Sequence, residues 1–179
     1  MKTILAAALL ALATPAVAEA PSIDGQWASL APENFGGPFA LRDFTFDGDA
    51  WRIVLRTFAD EAMTQPQFTL DVAGYYRVGA ESSAVPGAWN AVFAAFDKTL
   101  TAHSAETVAM FVGMGCTLEI DQPFDLTDQP CGFFHATMDN TGEYDLIAVK
   151  DGQLFLGDRS GDLTKARPTA LIGYPLARK

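Results

Sequence analysis

The chain is poor in cysteine, in histidine and in positive charge. It has two cysteines, two histidines and 12 Lys+Arg against 22 Asp+Glu, a formal net charge of −10. So large a deficit of cations, with no Lys/Arg cluster, argues against nucleic acid and anionic membrane surfaces as partners. Beyond the first residues no apolar run approaches the ~20 residues of a transmembrane helix. Catalytic signatures are missing as well. There is no G-x-S-x-G, no H-E-x-x-H, and no nucleophile and base at a recognisable spacing, so the chain is read as a non-enzyme without cofactor or metal. No internal repeat or low-complexity tract interrupts it.

What is present begins with "MKTILAAALLALATPAVAEA". Lys2 is a positive start, Ile4 to Ala13 is a short apolar run, and Ala16-Val17-Ala18 is a small-x-small cleavage pattern. These are the parts of a secretory leader; a retained N-terminal helix is the competing reading. The expectation is a leader over residues 1–18 and one domain over 19–179. The short, Ala-rich leader is of bacterial type, so the location expected is periplasmic or secreted. No lipobox follows, because the only cysteines are Cys116 and Cys131. In an exported chain two cysteines are most simply one disulfide, and closing this loop contributes about 3 kcal/mol in the chain-entropy model. A redox pair or a metal site is the alternative; it lacks C-x-x-C spacing and has only His103 and His135 as further ligands.

The rest reads as strands. Asn34 to Pro38 is a loop. Phe44 and Phe46 alternate with polar residues, Asp47-Gly48 supplies turn chemistry with positive φ at Gly48, and Trp51, Ile53 and Leu55 form the next apolar row, with Arg52 and Arg56 on the other face. After a turn at Gln65-Pro66, Phe68, Leu70 and Val72 alternate with Thr69 and Asp71. Gly74 suggests a bulge or bend, and Tyr76 and Val78 continue beyond it. Pro86-Gly87 precedes a long strand, "AWNAVFAAFDKTLTAH", whose apolar residues occupy both phases. "SAETVAMFVGM" from Ser104 reads as one short helix with Ser104 as N-cap, ended by Gly115. Phe124 to Asp128 is a loop. "FFHATM" and "EYDLIAVKDGQLFLGDRSG" resume the strands around a second hairpin at Asp151-Gly152, and "RPTALIGYPL" is a last extended segment. The prediction is an all-β fold: an antiparallel β-barrel of about eight strands or more with one short helix, wide enough for one small ligand.

The opening "IDGQWAS", with Gly25 and Trp27, resembles the start of lipocalin-type barrels. The order "IDGQWAS", "LRDFTF", "QPQFTLDVAGYYRV", "VPGAW", "TAHSAETVAMF", "CG", "QLFLGDRSGD" and "ARPTALIGYPL" resembles the adenomatosis polyposis coli down-regulated family, from Ile23 to Leu176. Animal members are extracellular Wnt antagonists. The resemblance implies a lipocalin-like barrel whose apolar interior takes an acyl chain, in the animal proteins that of a lipidated partner. Two family cysteines are missing here: one expected after the opening Trp-x-Ser, where "LAPENF" stands, and one where Asp60-Glu61-Ala62-Met63 stands. Their joint loss fits the loss of one bridge and supports pairing of Cys116 with Cys131. Wnt does not carry over to a bacterial chain.

The candidate ligand-binding residues are Trp27, Phe44, Phe46, Trp51, Ile53, Leu55, Phe68, Leu70, Tyr76 and Val78; a packed core is the plainer reading of the same rows. Tyr76, Arg167 and Thr169 are the candidate polar contacts. His103 fits a helix start and His135 a strand position alternating with the phenylalanines. "DNTGEYD" at Asp139–Asp145 lacks a full calcium-loop pattern. The expected partner is an apolar small molecule, an acyl chain or a lipidated protein. Alternatives are a protein-binding barrel without a cavity, such as a periplasmic enzyme inhibitor; an outer-membrane barrel, disfavoured by the charges on one face of the central strands; and, more weakly, an enzyme.

Overall fold

The computed structural model describes residues 19–139 and 142–179; the expected leader over 1–18 lies outside the described residues. The elements are β1 (Gly25–Ser29), β2 (Glu33–Asn34), β3 (Phe39–Asp47), β4 (Ala50–Phe58), β5 (Pro66–Glu81), β6 (Trp89–Ala102), α1 (Ala105–Gly113), β7 (Pro123–Asp125), a 3-10 turn at Thr137–Asp139, β8 (Glu143–Lys150), β9 (Gln153–Leu156) and β10 (Leu176–Arg178). All pairings are antiparallel. The order β1-β3-β4-β5-β6-β8-β9-β10 returns to β1, which pairs with both β3 and β10. This is a closed eight-stranded barrel, with β2 added beside β3 and β7 beside β6.

Local chemistry explains the tight corners. β8 and β9 are joined by Asp151-Gly152, both at positive φ (51° and 74°), the twist-matched two-residue hairpin. Between β3 and β4 the loop is Gly48-Asp49, with Gly48 at φ 61°. At the N-terminal end, Trp27 is buried and its indole N–H donates to Ile23 O at 2.7 Å, while the Arg178 guanidinium lies 4.5 Å from its ring centre. Trp27 thus plugs the barrel where the first and last strands meet.

Strand β6 shows why its facing is ambiguous in sequence. Gly74 pairs with Ala95 but Ala73 with Asp97, so Phe96 is the extra residue of a bulge. Before it Ala91 and Phe93 are buried; after it Leu100 and Ala102 are. The inward phase changes from odd to even numbers. Gly74 is required there, since a Cβ would lie 1.9 Å from Ala94 O.

Ser104 caps α1 as expected, accepting from Thr107 N. Three expectations need correction. "FFHATM" is not a strand: Cys131 and Phe134 exchange backbone hydrogen bonds in a tight turn, and the 3-10 turn follows. Pro123–Asp125 is a short strand, although Phe124 and Asp125 were expected to lie in a loop. "RPTALIGYPL" contributes one isolated bridge, Gly157 with Leu171; the last strand begins only at Leu176, after Pro175.

Candidate functional site

The registers place the inner wall residue by residue, because directly opposed residues share a face. Phe44 faces Ile53, Phe46 faces Trp51, and Arg42 faces Leu55. Ile53 faces Val72 and Leu55 faces Leu70. Phe68, Leu70, Tyr76 and Val78 face Ala102, Leu100, Phe93 and Ala91. With Trp27 opposite Phe44, all ten candidate residues lie on the inner face.

They do not form one group. Trp27, Phe44 and Phe46 are buried in a first cluster, with Trp51, Ile53, Tyr76 and Val78 packed against it. Its rings are in contact: Phe46 with Tyr76 at 5.1 Å, Trp51 with Phe93 at 5.1 Å, Tyr76 with Phe93 at 5.6 Å. Phe68 and Leu70 belong to a second cluster under α1, with Leu100, Ala102, Phe111 and Leu126. The bonded pair Cys116–Cys131 lies in this second cluster and ties the end of α1 to the Cys131–Phe134 turn. Leu55 is in neither cluster. Ile53, Leu55 and Leu70 point inward and yet remain partly exposed, in contrast to Phe44 and Phe46, at 6% and 2%.

Sequence reasoning missed an inner-wall ion pair. Arg42 is 5% exposed and Glu33 2%. Arg42 Nε donates to Glu33 Oε2 at 2.8 Å, and Nη2 donates to Glu33 Oε1 at 3.0 Å and to Tyr174 O at 2.8 Å. Ser29 Oγ donates to Glu33 Oε1 at 2.7 Å. The pair is mutually neutralised and hydrogen-bonded, as burial demands. One signal was available: Arg42 shares the even phase of Phe44 and Phe46.

Of the polar candidates, only Tyr76 reaches the interior, where burial raises its pKa. Arg167 spans β6 and β8 from outside, donating to Ala91 O and Asp145 O, and lies 5.0 Å from the centre of the Tyr144 ring. Thr169 is exposed. His103 sits in an outer groove of about 270 Å³, its ring between Asp121 Oδ1 (2.7 Å) and Thr69 Oγ1 (2.8 Å). His135 is exposed. In the "DNTGEYD" stretch, Asp145 is buried, and burial raises its pKa. Its carboxylate accepts from Leu146 N and Gly157 N and pairs with Arg159. Among the described residues no group of three His, Cys, Asp or Glu side chains is placed to hold a metal. The indole N–H of Trp51, over Gly74, is the buried side-chain polar atom left without a partner among the described residues.

The outer wall is charged. Arg52 pairs with Asp71; Arg56 and Lys179 both pair with Asp43.

A search of the curated proteins finds no match to the chain. The profile of the family described as "Adenomatosis polyposis coli down-regulated 1" matches residues 8–119, a stretch that takes in β1 to β6 and α1 and stops before β7. The ending "QLFLGD…ARPTALI", which shares in the resemblance, lies beyond the matched stretch. Closed antiparallel wall, plugging tryptophan and matched profile agree, and the chain belongs to the adenomatosis polyposis coli down-regulated 1 family.

Proposed function

We propose that the chain is an exported barrel protein that holds an apolar ligand, most simply an acyl chain, within its wall. The observation that carries this reading is the middle of the barrel. Ile53, Leu55 and Leu70 face inward from a closed wall but keep accessible surface; Ile53 packs against one apolar cluster, Leu70 against a second, separate one, and Leu55 against neither. In a fully packed barrel these side chains would be buried and the clusters continuous. Each methylene placed there contributes about 0.8 kcal/mol. Export rests on the leader pattern of residues 1–18, and the charged outer wall suits a water-filled compartment better than a lipid-facing one.

Leu55 is the position to test, since a charge at Phe46 would disrupt the packed cluster itself. Leu55→Trp, which fills the space, and Leu55→Asp, which charges it, should each abolish uptake of a fluorescent fatty acid. Arg52→Ala, on the outer face, should leave uptake intact. Circular dichroism establishes that each variant is folded. If the wild type takes up no acyl probe and organic extracts of it contain no lipid, the reading fails. The protein-binding barrel then stands, with the exposed Met110, Val112, Met114 and Phe133 as its contact residues.

A further inference from the structure

The inner wall carries a second cation that, unlike Arg42, makes no ion pair among the described residues. The bulge at Phe96 turns Lys98 inward, opposite the buried Val72, and leaves Asp97 exposed. Without that extra residue Lys98 would point to solvent. Here β6 also changes its neighbour: its pairing with β8 ends at Phe93 and its pairing with β7 begins at Thr99. Lys98 Nζ donates one hydrogen bond, to His135 O at 3.0 Å. An ammonium has three donors, and this is the one hydrogen bond Lys98 makes among the described residues. No ion pair to it is formed among the described residues, in a chain with 22 acidic residues. The charges that bear on it are Glu143 and Arg159, and Arg159 pairs with both Glu143 and Asp145. Partial burial lowers its pKa, against the attraction of Glu143.

We infer that Lys98 anchors the head group of an acyl ligand that carries a free carboxylate, with the chain lying along Val72, Ile53 and Leu55. This rests on the interior-ligand reading and narrows it: the neutral Arg42–Glu33 pair offers nothing to an anion, and Lys98 does. A single ammonium matches a monoanion.

The test uses the full mature chain and two probes of equal length, dodecanoate and 1-dodecanol, each displacing a fluorescent apolar reporter. The wild type should prefer dodecanoate by about tenfold or more, the worth of one charge-assisted hydrogen bond. Lys98→Met should remove that preference, lowering dodecanoate affinity and leaving dodecanol unchanged; Lys98→Arg should keep it. Added salt should weaken dodecanoate alone. Equal binding of the two probes by the wild type, or an unchanged preference in folded Lys98→Met, overturns the anchor and leaves the cavity reading standing. Binding of neither probe overturns both. Because the wild-type preference is itself decisive, a variant that fails to fold does not rescue the proposal.

Discussion

Arg42 and Glu33 are nine positions apart, on different strands, and satisfy each other in the interior. Removing one partner strands the other. Arg42→Met should destabilise the protein by about 3–5 kcal/mol, because the Glu33 carboxylate stays buried with Ser29 Oγ as its remaining donor. Adding Glu33→Leu should recover most of that loss, since an apolar pair of similar volume avoids the desolvation cost. Urea denaturation of the two variants measures both steps; a double variant no more stable than Arg42→Met would mean that the ion pair itself holds the wall. This pair was not legible in the sequence for a definite reason. The parity of Arg42 with Phe44 and Phe46 was readable, but "LAPENF" reads as loop, and nothing local says that Glu33 turns back over β3. The apolar candidates were legible, because alternation on successive strands is a local pattern and the barrel preserves it. What alternation did not disclose is their division into two clusters, which depends on where α1 and the disulfide pack.

At the level of elements, the bulge between β5 and β6 is the feature most sensitive to a single atom. Gly74→Ala would place Cβ 1.9 Å from Ala94 O and 2.7 Å from the Trp51 indole nitrogen. The wall must then spread or the bulge must move, at an expected cost of about 3 kcal/mol. The variant's thermal midpoint should fall several degrees while its far-ultraviolet spectrum stays β-rich; an unchanged midpoint would mean that the strands separate freely at this level. Gly74 announced an irregularity in the sequence, but its partner did not: in "FAAFDK" apolar residues occupy both phases, so the extra residue could be found only from the pairing. The stretch from Gly115 to Asp139 was the least readable. Apart from the three residues of β7 its backbone is held by turns and a disulfide, which leave no periodicity, and a strand was expected at "FFHATM" where a turn is found.

For the molecule as a whole, response to acid follows from where its aspartates sit. Asp60, Asp125, Asp158 and Asp162 are lowered in pKa by hydrogen bonds from Thr64, Thr127, Ser160 and Lys165 respectively, Asp162 to about 2. A carboxylate whose folded pKa lies below its unfolded value stabilises the fold above the unfolded pKa, and that contribution is lost as pH falls through the folded value. Asp145 acts in the opposite sense. Burial raises its pKa, so the folded state takes up its proton more readily and gains stability as pH falls through that raised value. Four sites against one predict a melting temperature that falls steadily on acidification from the usual carboxylate range towards about 2. Asp162→Asn, which keeps an acceptor for Thr164 N, should flatten the most acidic part of that curve in scanning calorimetry. A melting temperature that rises on acidification would show Asp145 to dominate.

The ring is completed by its two most distant strands. Arg178 reaches back 154 residues to Asp24 O, and Lys179 N donates to Gln26 O. Contacts so remote in sequence slow folding, because a long loop must close before they are made. A ribosome delivers β3 to β6 well before Leu176–Arg178, so the strands that carry the aromatic rows wait for a partner that emerges long after them. Until it arrives there is no finished wall to unfold. The placement of β10 therefore works as a delay: the barrel stays open, and its strands separable, until Leu176–Arg178 has been made.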